Sequence, residues 1–256
     1  ENKNLFSQLT NEIVNHAKPF IIVPDGVVFS YEDMVNFSGR YANALKRLGI
    51  SQGDRVLVKT KKKIECIWLY LACLRVGAIY TAINPDYTLP ETKYFVTNCE
   101  PKLFITTDVK TNLELIEFLN TFKGLIVNDL TLNGSLSLPA MASNEDDNFK
   151  TVFCNNKDIA AILYTSGTTG KSKGVMISHQ NLFSNAKTLS KIWKMSSDDI
   201  LLHILPLYHT HGLFVAFNTL IFSNSSILFH RSFVIKEVLD ALNKVTVLMG
   251  VPTHYI

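Results

Sequence analysis

The stretch Ile159-Ala160-Ala161-Ile162-Leu163-Tyr164-Thr165, Ser166-Gly167-Thr168-Thr169-Gly170-Lys171-Ser172, Lys173-Gly174-Val175-Met176-Ile177-Ser178 reads as a buried strand, a loop dense in hydroxyls and glycines, and a second strand. The loop offers many backbone N–H groups and several hydroxyls. Its glycines let the backbone approach a ligand closely, and its lysines neutralise negative charge; together these are the requirements for holding a polyphosphate. The run nearly matches G-x-x-x-x-G-K-[ST], with Thr165 where the first glycine would stand. That motif opens directly into a helix whose N-terminus holds the phosphates. Here Val175-Met176-Ile177 reads as a strand and a helix begins only after Ser178, so the spacing predicts a strand–loop–strand hairpin and argues against a Walker-type NTPase.

Upstream, short apolar runs at Val56–Val58, Ala78–Ala82, Leu103–Ile105 and Leu125–Val127 alternate with helical patterns at Ile64–Arg75, Pro90–Asn98 and Leu113–Phe122. Downstream, strands near Leu201–Leu205, Ile227–Phe229 and Val247–Gly250 alternate with helices near Asn181–Trp193, Gly212–Phe222 and Val234–Lys244. Such repetition with short loops predicts α/β architecture with largely parallel sheets. At the start, a helix over Leu5–Ala17 precedes a hairpin of Phe20–Val23 and Val27–Phe29 around Pro24-Asp25-Gly26. Ser30 and Asp33 form a capping box for the next helix, which Gly49 stops. Residues 130–158 are polar and aperiodic, which predicts a long surface connection. Strand Thr246–Val251 runs into Pro252 just before the chain stops at Ile256, as if the sequence were cut.

Bulk properties bound the function classes. Apolar residues make up 47% and charged residues 18% of the 256, which excludes a disordered chain. A net charge of +3 gives no reason to invoke nucleic acid, and Lys61-Lys62-Lys63 reads as solvated surface. The four cysteines lack C-x-x-C spacing, which points to a reducing compartment. No apolar run reaches the ~18 residues of a membrane span.

A second segment, Leu205-Pro206-Leu207-Tyr208-His209-Thr210-His211-Gly212-Leu213-Phe214, places two histidines two residues apart. Alone, the pair reads either as a weak metal pair or, more commonly, as satisfied structural histidines. The two segments carry a resemblance. Tyr164 to Gly170, followed by Lys173-Gly174 and Ser178-His179-Asn181-Leu182, looks like the phosphate-loop signature of the adenylate-forming superfamily, which includes the acyl-CoA synthetases. Tyr208 to Ala216 and Val247-Leu248-Met249-Gly250-Val251-Pro252-Thr253, with Leu71 to Arg75, are similar to its malonyl-CoA synthetase branch.

The resemblance implies the following. Thr165, Ser166, Gly167, Thr168 and Thr169 wrap the β- and γ-phosphates of ATP, joined by Gly170 and Lys171, while Lys173 neutralises their charge. Mg²⁺ arrives on the phosphates, with Thr165 as its one candidate protein contact. His209 is the catalytic position beside the reacting carboxylate, and His209, Thr210, His211 and Gly212 line the acid pocket. The partners are a small carboxylic acid, malonate first, together with ATP and coenzyme A. A different acid (acetate, medium-chain or aromatic), or a truncated non-catalytic nucleotide-binding module, is the alternative. The location implied is cytosolic, or the mitochondrial matrix where a leader has been removed. The fold implied is the large N-terminal domain of the superfamily in incomplete form, with no C-terminal domain. One α/β subdomain is expected over 51–221, and a second, discontinuous one over 1–50 and 222–256. The family's adenine motif with its Mg²⁺-binding Glu, its ribose-binding Asp, its hinge and its catalytic Lys all fall beyond Ile256. The 256 residues alone are therefore not expected to adenylate an acid. Arg231 reads as a surface residue, and the Arg for a distal carboxylate is expected in the downstream part.

Overall fold

The computed structural model describes residues 1–11, 13–132, 134, 136–165 and 172–255. In chain order its strands are β1 (Pro19–Ile22), β2 (Val28–Ser30), β3 (Arg55–Lys59), β4 (Ile79–Ala82), β5 (Leu103–Thr106), β6 (Ile126–Asn128), β7 (Ile159–Thr165), β8 (Lys173–Ser178), β9 (Ile200–His203), β10 (Ser226–Phe229) and β11 (Val247–Met249). They form two sheets, in the orders β6-β5-β3-β4-β7-β8 and β11-β9-β10-β1-β2. The chain divides into two compact units, one of residues 1–4 and 37–179, the other of residues 5–36 and 180–256.

In the first unit every strand pair is parallel except β7–β8. A parallel sheet needs cover on both faces, and the sequence supplies it. The helix Glu65–Val76 is buried from Cys66 through Val76, all the way round, as a central core helix should be. Elsewhere Leu57 and Phe104 pack with Phe95, Val96, Leu115 and Leu119 from the helices Leu89–Cys99 and Leu113–Leu119. Each such side chain fully buried is worth roughly 1.5–3 kcal/mol. Arg75 lies within this core at 4% exposure, where its guanidinium donates to Ser38 Oγ (2.9 Å) and to the Phe149 carbonyl (2.6 Å). Burial lowers its pKa to about 10, still high enough to keep it charged at neutral pH.

The second unit is a parallel sheet closed at one edge by the β1–β2 hairpin. The expected capping box is present: the Ser30 N–H donates to Asp33 Oδ2 (2.7 Å) and the Asp33 N–H to Ser30 Oγ (3.1 Å), opening the helix Tyr31–Arg47. β1 pairs in parallel with β10, about two hundred residues later, so the unit has to be discontinuous in sequence.

Three expectations are corrected. The division after residue 50 and at 221 lies instead at 36/37 and 179/180, because β9 pairs with both β10 and β11 and so carries the segment after it into the second sheet. An apolar run shows that a strand exists, not which sheet it joins. The opening helix stops at Thr10 rather than Ala17; Asn15 Oδ1 accepts from the Ala17 N–H (3.0 Å), a local turn that competes with helix. Within 130–158 the structure places a helix, Leu138–Ser143, capped by Ser137 and burying Leu138, Pro139 and Ala142. Among the described residues no helix is long and apolar enough to cross a membrane.

Candidate functional site

The hairpin expected from the sequence is formed. β7 and β8 pair antiparallel with Tyr164 opposite Gly174 and Thr165 opposite Lys173. β7 runs parallel to β4, so the chain leaves Thr165 at the carboxyl end of the parallel strands, where open α/β sheets bind ligands. Ser166, Gly167, Thr168, Thr169, Gly170 and Lys171 lie outside the described residues. Thr165 and Lys173 therefore mark the two lips of the loop's mouth, both exposed.

Both legs of that mouth are held by one helix. The Tyr164 hydroxyl donates to Asn98 Oδ1 (2.7 Å), and the Tyr94 hydroxyl donates to the Ser172 carbonyl (2.6 Å). Tyr94 and Asn98 are four apart on Leu89–Cys99, hence on one face of it. The Tyr164 ring meets Phe95 edge-on at 4.7 Å. Burial raises the Tyr164 pKa, which keeps its hydroxyl a donor. Gly174 sits in close quarters opposite it: a Cβ there would come within 3.0 Å of Ile162 Cγ2 and 3.4 Å of the Tyr164 ring. Sequence reading missed Tyr94 and Asn98. The available signal was the Thr88/Glu91 capping box, which sets the helix start and thereby its faces.

His179 follows β8 and begins the helix His179–Ile192, with its N–H on the Asp158 carbonyl (3.0 Å). It is 1% exposed, and burial pushes its pKa from 6.5 down to about 4, Asp158 opposing only in part. The unfolded chain thus binds a proton that the folded one refuses between those values. Stability is full above 6.5, falls as pH drops toward 4 and then levels off, losing about 3 kcal/mol from this group. Urea midpoints measured across that range should fall accordingly in the full-length protein, and His179→Gln should flatten the slope by one proton. An unchanged slope in the variant would remove His179 as the cause.

The second predicted segment lies in the other unit. After β9 the chain turns through Pro206 and enters a π-helical stretch, His211–Asn218, continued by the short α-helix Thr219–Phe222. The i→i+5 pattern is rare and frequent at functional sites; sequence periodicity predicted one helix over Gly212–Phe222. His203, the last residue of β9, is 1% exposed and packs against the rings of Phe217 (4.7 Å) and Phe229 (5.9 Å). Its Nε2 lies 2.6 Å from the Gly212 carbonyl, to which it donates.

His209, Thr210, His211 and Gly212 line a recess of ≈ 500 Å³ with Leu205 and Pro206. The His209 ring lies 4.5 Å from that of Tyr208. Burial pulls the pKa of both His209 and His211 below the ordinary histidine value, so both rings are neutral at physiological pH. Val251 and His254, from the segment after β11, complete the wall. His254 was not singled out from sequence; it directly follows the Val247–Thr253 run. Among the described residues no group of three or more His, Cys, Asp and Glu is placed to hold a metal ion. Arg231 is exposed and does not line the recess.

Comparison with known proteins places these features in a family. The family described as AMP-binding enzyme matches residues 13–256. The structure superposes on apo MatB from Rhodopseudomonas palustris with a TM-score of 0.93 and 41% identity, over 100% of this chain and 50% of that one. For the ATP-bound form of that protein the TM-score is again 0.93, with 43% identity over the same shares. In sequence it is 30% identical to a probable CoA ligase of Humulus lupulus, over 90% of this chain and 43% of the relative. It is 27% identical to the acyl-CoA ligase sidI of Aspergillus fumigatus, over the same shares. The chain thus spans about half the length of the relatives it matches. A parallel-sheet hairpin with a Thr/Ser/Gly loop, and a match from residue 13 to the end, lead to one assignment: the chain belongs to the AMP-binding enzyme family.

Proposed function

We propose that this chain is the N-terminal portion of an AMP-forming acid–CoA ligase whose preferred acid is short, with malonate the first candidate. The observation that carries the reading is the β7–β8 hairpin, which opens its glycine- and hydroxyl-rich loop at the carboxyl end of a parallel sheet, with Lys173 on its lip. That the MatB relative has been solved with ATP bound supports it, as do the CoA ligases among the sequence relatives.

A carboxylate is a poor electrophile because attack adds charge to an anion. Its oxygen attacks the α-phosphorus of ATP and pyrophosphate leaves, giving a mixed anhydride with AMP; the thiol of coenzyme A then displaces AMP. Positioning and charge neutralisation supply most of the rate in such phosphoryl chemistry. Thr165 and the loop after it hold the β- and γ-phosphates, Lys173 offsets the charge on the departing pyrophosphate, and His209 and its neighbours seat the acid. Thr165 is the residue that would meet a magnesium ion carried in on the nucleotide, which would add charge stabilisation there.

The test is AMP release by the full-length protein over a panel of acids with coenzyme A. Malonate is expected to lead acetate, butyrate and benzoate by at least about tenfold in kcat/KM, the scale set by one well-used polar contact. A clear lead for a monocarboxylate would end the malonate reading and keep the ligase one; no AMP from any acid would end both. Residues 1–256 alone are expected to show no pyrophosphate exchange, since the adenine, ribose and catalytic-lysine motifs of the family fall outside them.

A further inference from the structure

The carboxyl edge of the first sheet carries a second group of loops, which the proposed reaction does not use. β6, β5 and β3 are parallel neighbours, so the segments that follow them, residues 129–137, 107–112 and 60–64, leave the sheet side by side. Side-chain bonds join them into one surface. Lys63 Nζ donates to the Leu130 carbonyl (3.1 Å), and Lys110 Nζ donates to Thr131 Oγ1 (3.2 Å) while pairing with Asp129 (2.7 Å). The loop after β6 is itself tied at its ends: the Leu138 N–H donates to the Asp129 carbonyl (3.0 Å) and Asn128 Nδ2 to the Leu136 carbonyl (3.2 Å).

Three leucines on these adjoining segments are left in water: Leu113 is 77% exposed, Leu132 68% and Leu136 83%. Single exposed leucines need no explanation; three on one small surface do. Side chains this exposed stand clear of any protein wall, and so suit a fluid apolar medium better than a partner's matched pocket. The charge beside them is positive. Asp129 is taken up by Lys110, and Asp108 by the buried Lys59. Lys61 is exposed, and Lys63 donates to a neutral carbonyl, which leaves its charge in place. Lys62 between them is not counted, because burial holds its pKa well below the ordinary lysine value. The acid that follows them in sequence is Glu65, in the first turn of the next helix. Exposed apolar side chains beside lysines are held by an anionic bilayer, where the leucines enter the acyl boundary and the ammonium groups meet the headgroups. We propose that Leu113, Leu132 and Leu136, with Lys61 and Lys63, form a reversible docking surface for an anionic lipid bilayer. β4 separates β3 from β7, so this surface shares the edge with the phosphate loop but no residue with it.

The experiment is co-sedimentation of the full-length protein with vesicles of pure phosphatidylcholine and with vesicles rich in phosphatidylserine. Binding is expected to the second kind at low salt, and should fall steeply as added salt shortens the screening length. Leu132→Ser with Leu136→Ser, and separately Lys61→Glu with Lys63→Gln, are each expected to weaken partitioning about tenfold or more. Pyrophosphate exchange should be unchanged in both, since neither pair belongs to the phosphate loop or the recess, and that also reports that the variants fold. A polarity-sensitive dye attached at Leu136→Cys should shift to the blue with the anionic vesicles and stay put with the neutral ones. No sedimentation with phosphatidylserine, equal binding to both kinds of vesicle, or binding that the leucine changes leave intact overturns the proposal. So does an oligomer on sizing that the leucine changes reduce to the monomer, which would make this face a contact between copies of the chain. The ligase reading is tested separately, by AMP formation, and survives any of these results.

Discussion

Replacing Lys173 by alanine in the full-length protein is expected to lower kcat/KM for ATP by about 10²–10³-fold, the scale seen when one preorganised group is removed from developing charge. Lys173 opens β8 directly across from Thr165, and its backbone is held in the ladder with β7. The carbonyl just before it is tied by Tyr94 and the opposite leg by Asn98, so the ammonium is carried on a fixed base. A unit charge ~4 Å from a phosphate oxygen contributes ~4 kcal/mol at an effective dielectric constant of ~20. Loss of that interaction as pyrophosphate departs is expected in kcat more than in KM. Lys173→Arg should restore part of the rate, and Thr168→Ala, which removes one hydroxyl, should cost less than K173A. Tyr94→Phe, which frees one leg, should lie between wild type and K173A. The measurement is pyrophosphate exchange as a function of ATP concentration. Wild-type ATP dependence in a Lys173→Ala, Thr168→Ala double variant would remove the phosphate role of the loop and the adenylating reaction with it.

What could be read in advance divides along a physical line. The β7–β8 hairpin, the Ser30 capping box and the parallel character of the sheets follow from local chemistry: period, turn residues, side-chain-to-backbone bonds. The grouping of His209 with Gly212 in one pocket came from the family resemblance instead. Sheet membership does not. β9 is as apolar as β7, and only its pairing with β10 and β11 assigns it to the second unit, which is why the expected boundary at 221 was misplaced. The helix Leu138–Ser143 is hidden for a different reason: six residues between Ser137 and Asn144 are too few to show a period, and its three buried residues have meaning only against the core they meet. Of the candidate site, the two motifs were named from the sequence, and the residues that contact them were not. Tyr94 bonds the Ser172 carbonyl, Asn98 accepts from the Tyr164 hydroxyl and His203 bonds the Gly212 carbonyl, and no spacing rule announces such a partner. The π-helical turn at His211–Asn218 is likewise invisible to a 3.6-residue period, which fits an α-helix to the same apolar residues.

Gly212→Ala is expected to damage both folding and the recess lined by His209 and His211, because the backbone there has no room on either side. A Cβ at 212 would stand 2.0 Å from the Pro206 carbonyl oxygen and 2.9 Å from its carbon, both backbone atoms. From the other direction, His203 Nε2 holds the Gly212 carbonyl at 2.6 Å, and the His203 ring is itself set between Phe217 and Phe229. The π-helical turn therefore cannot slide away from Pro206 without breaking a buried hydrogen bond, and Pro206 cannot retreat without moving the wall of the recess. Overpacking of this kind costs about 1–3 kcal/mol, which for a domain of this size is a fall of several degrees in melting temperature. The recess suffers more than the fold. His211 directly precedes Gly212 and His209 lies three before it, so the shift that relieves the clash displaces both imidazoles. A displacement of ~1 Å in a positioning group can cost ~10²-fold in rate. His203→Leu tests the same feature from its other end: it leaves the Gly212 carbonyl buried without its donor, at about 1–3 kcal/mol, yet frees the turn to move. The double variant should then lose less than the sum of the two single losses, since the second change relaxes the strain imposed by the first. Melting temperature and kcat/KM are to be measured for all three. Additive losses would mean that Pro206, Gly212 and His203 do not act as one clamp, and wild-type values for Gly212→Ala would mean that the close approach itself is not a constraint on the pocket.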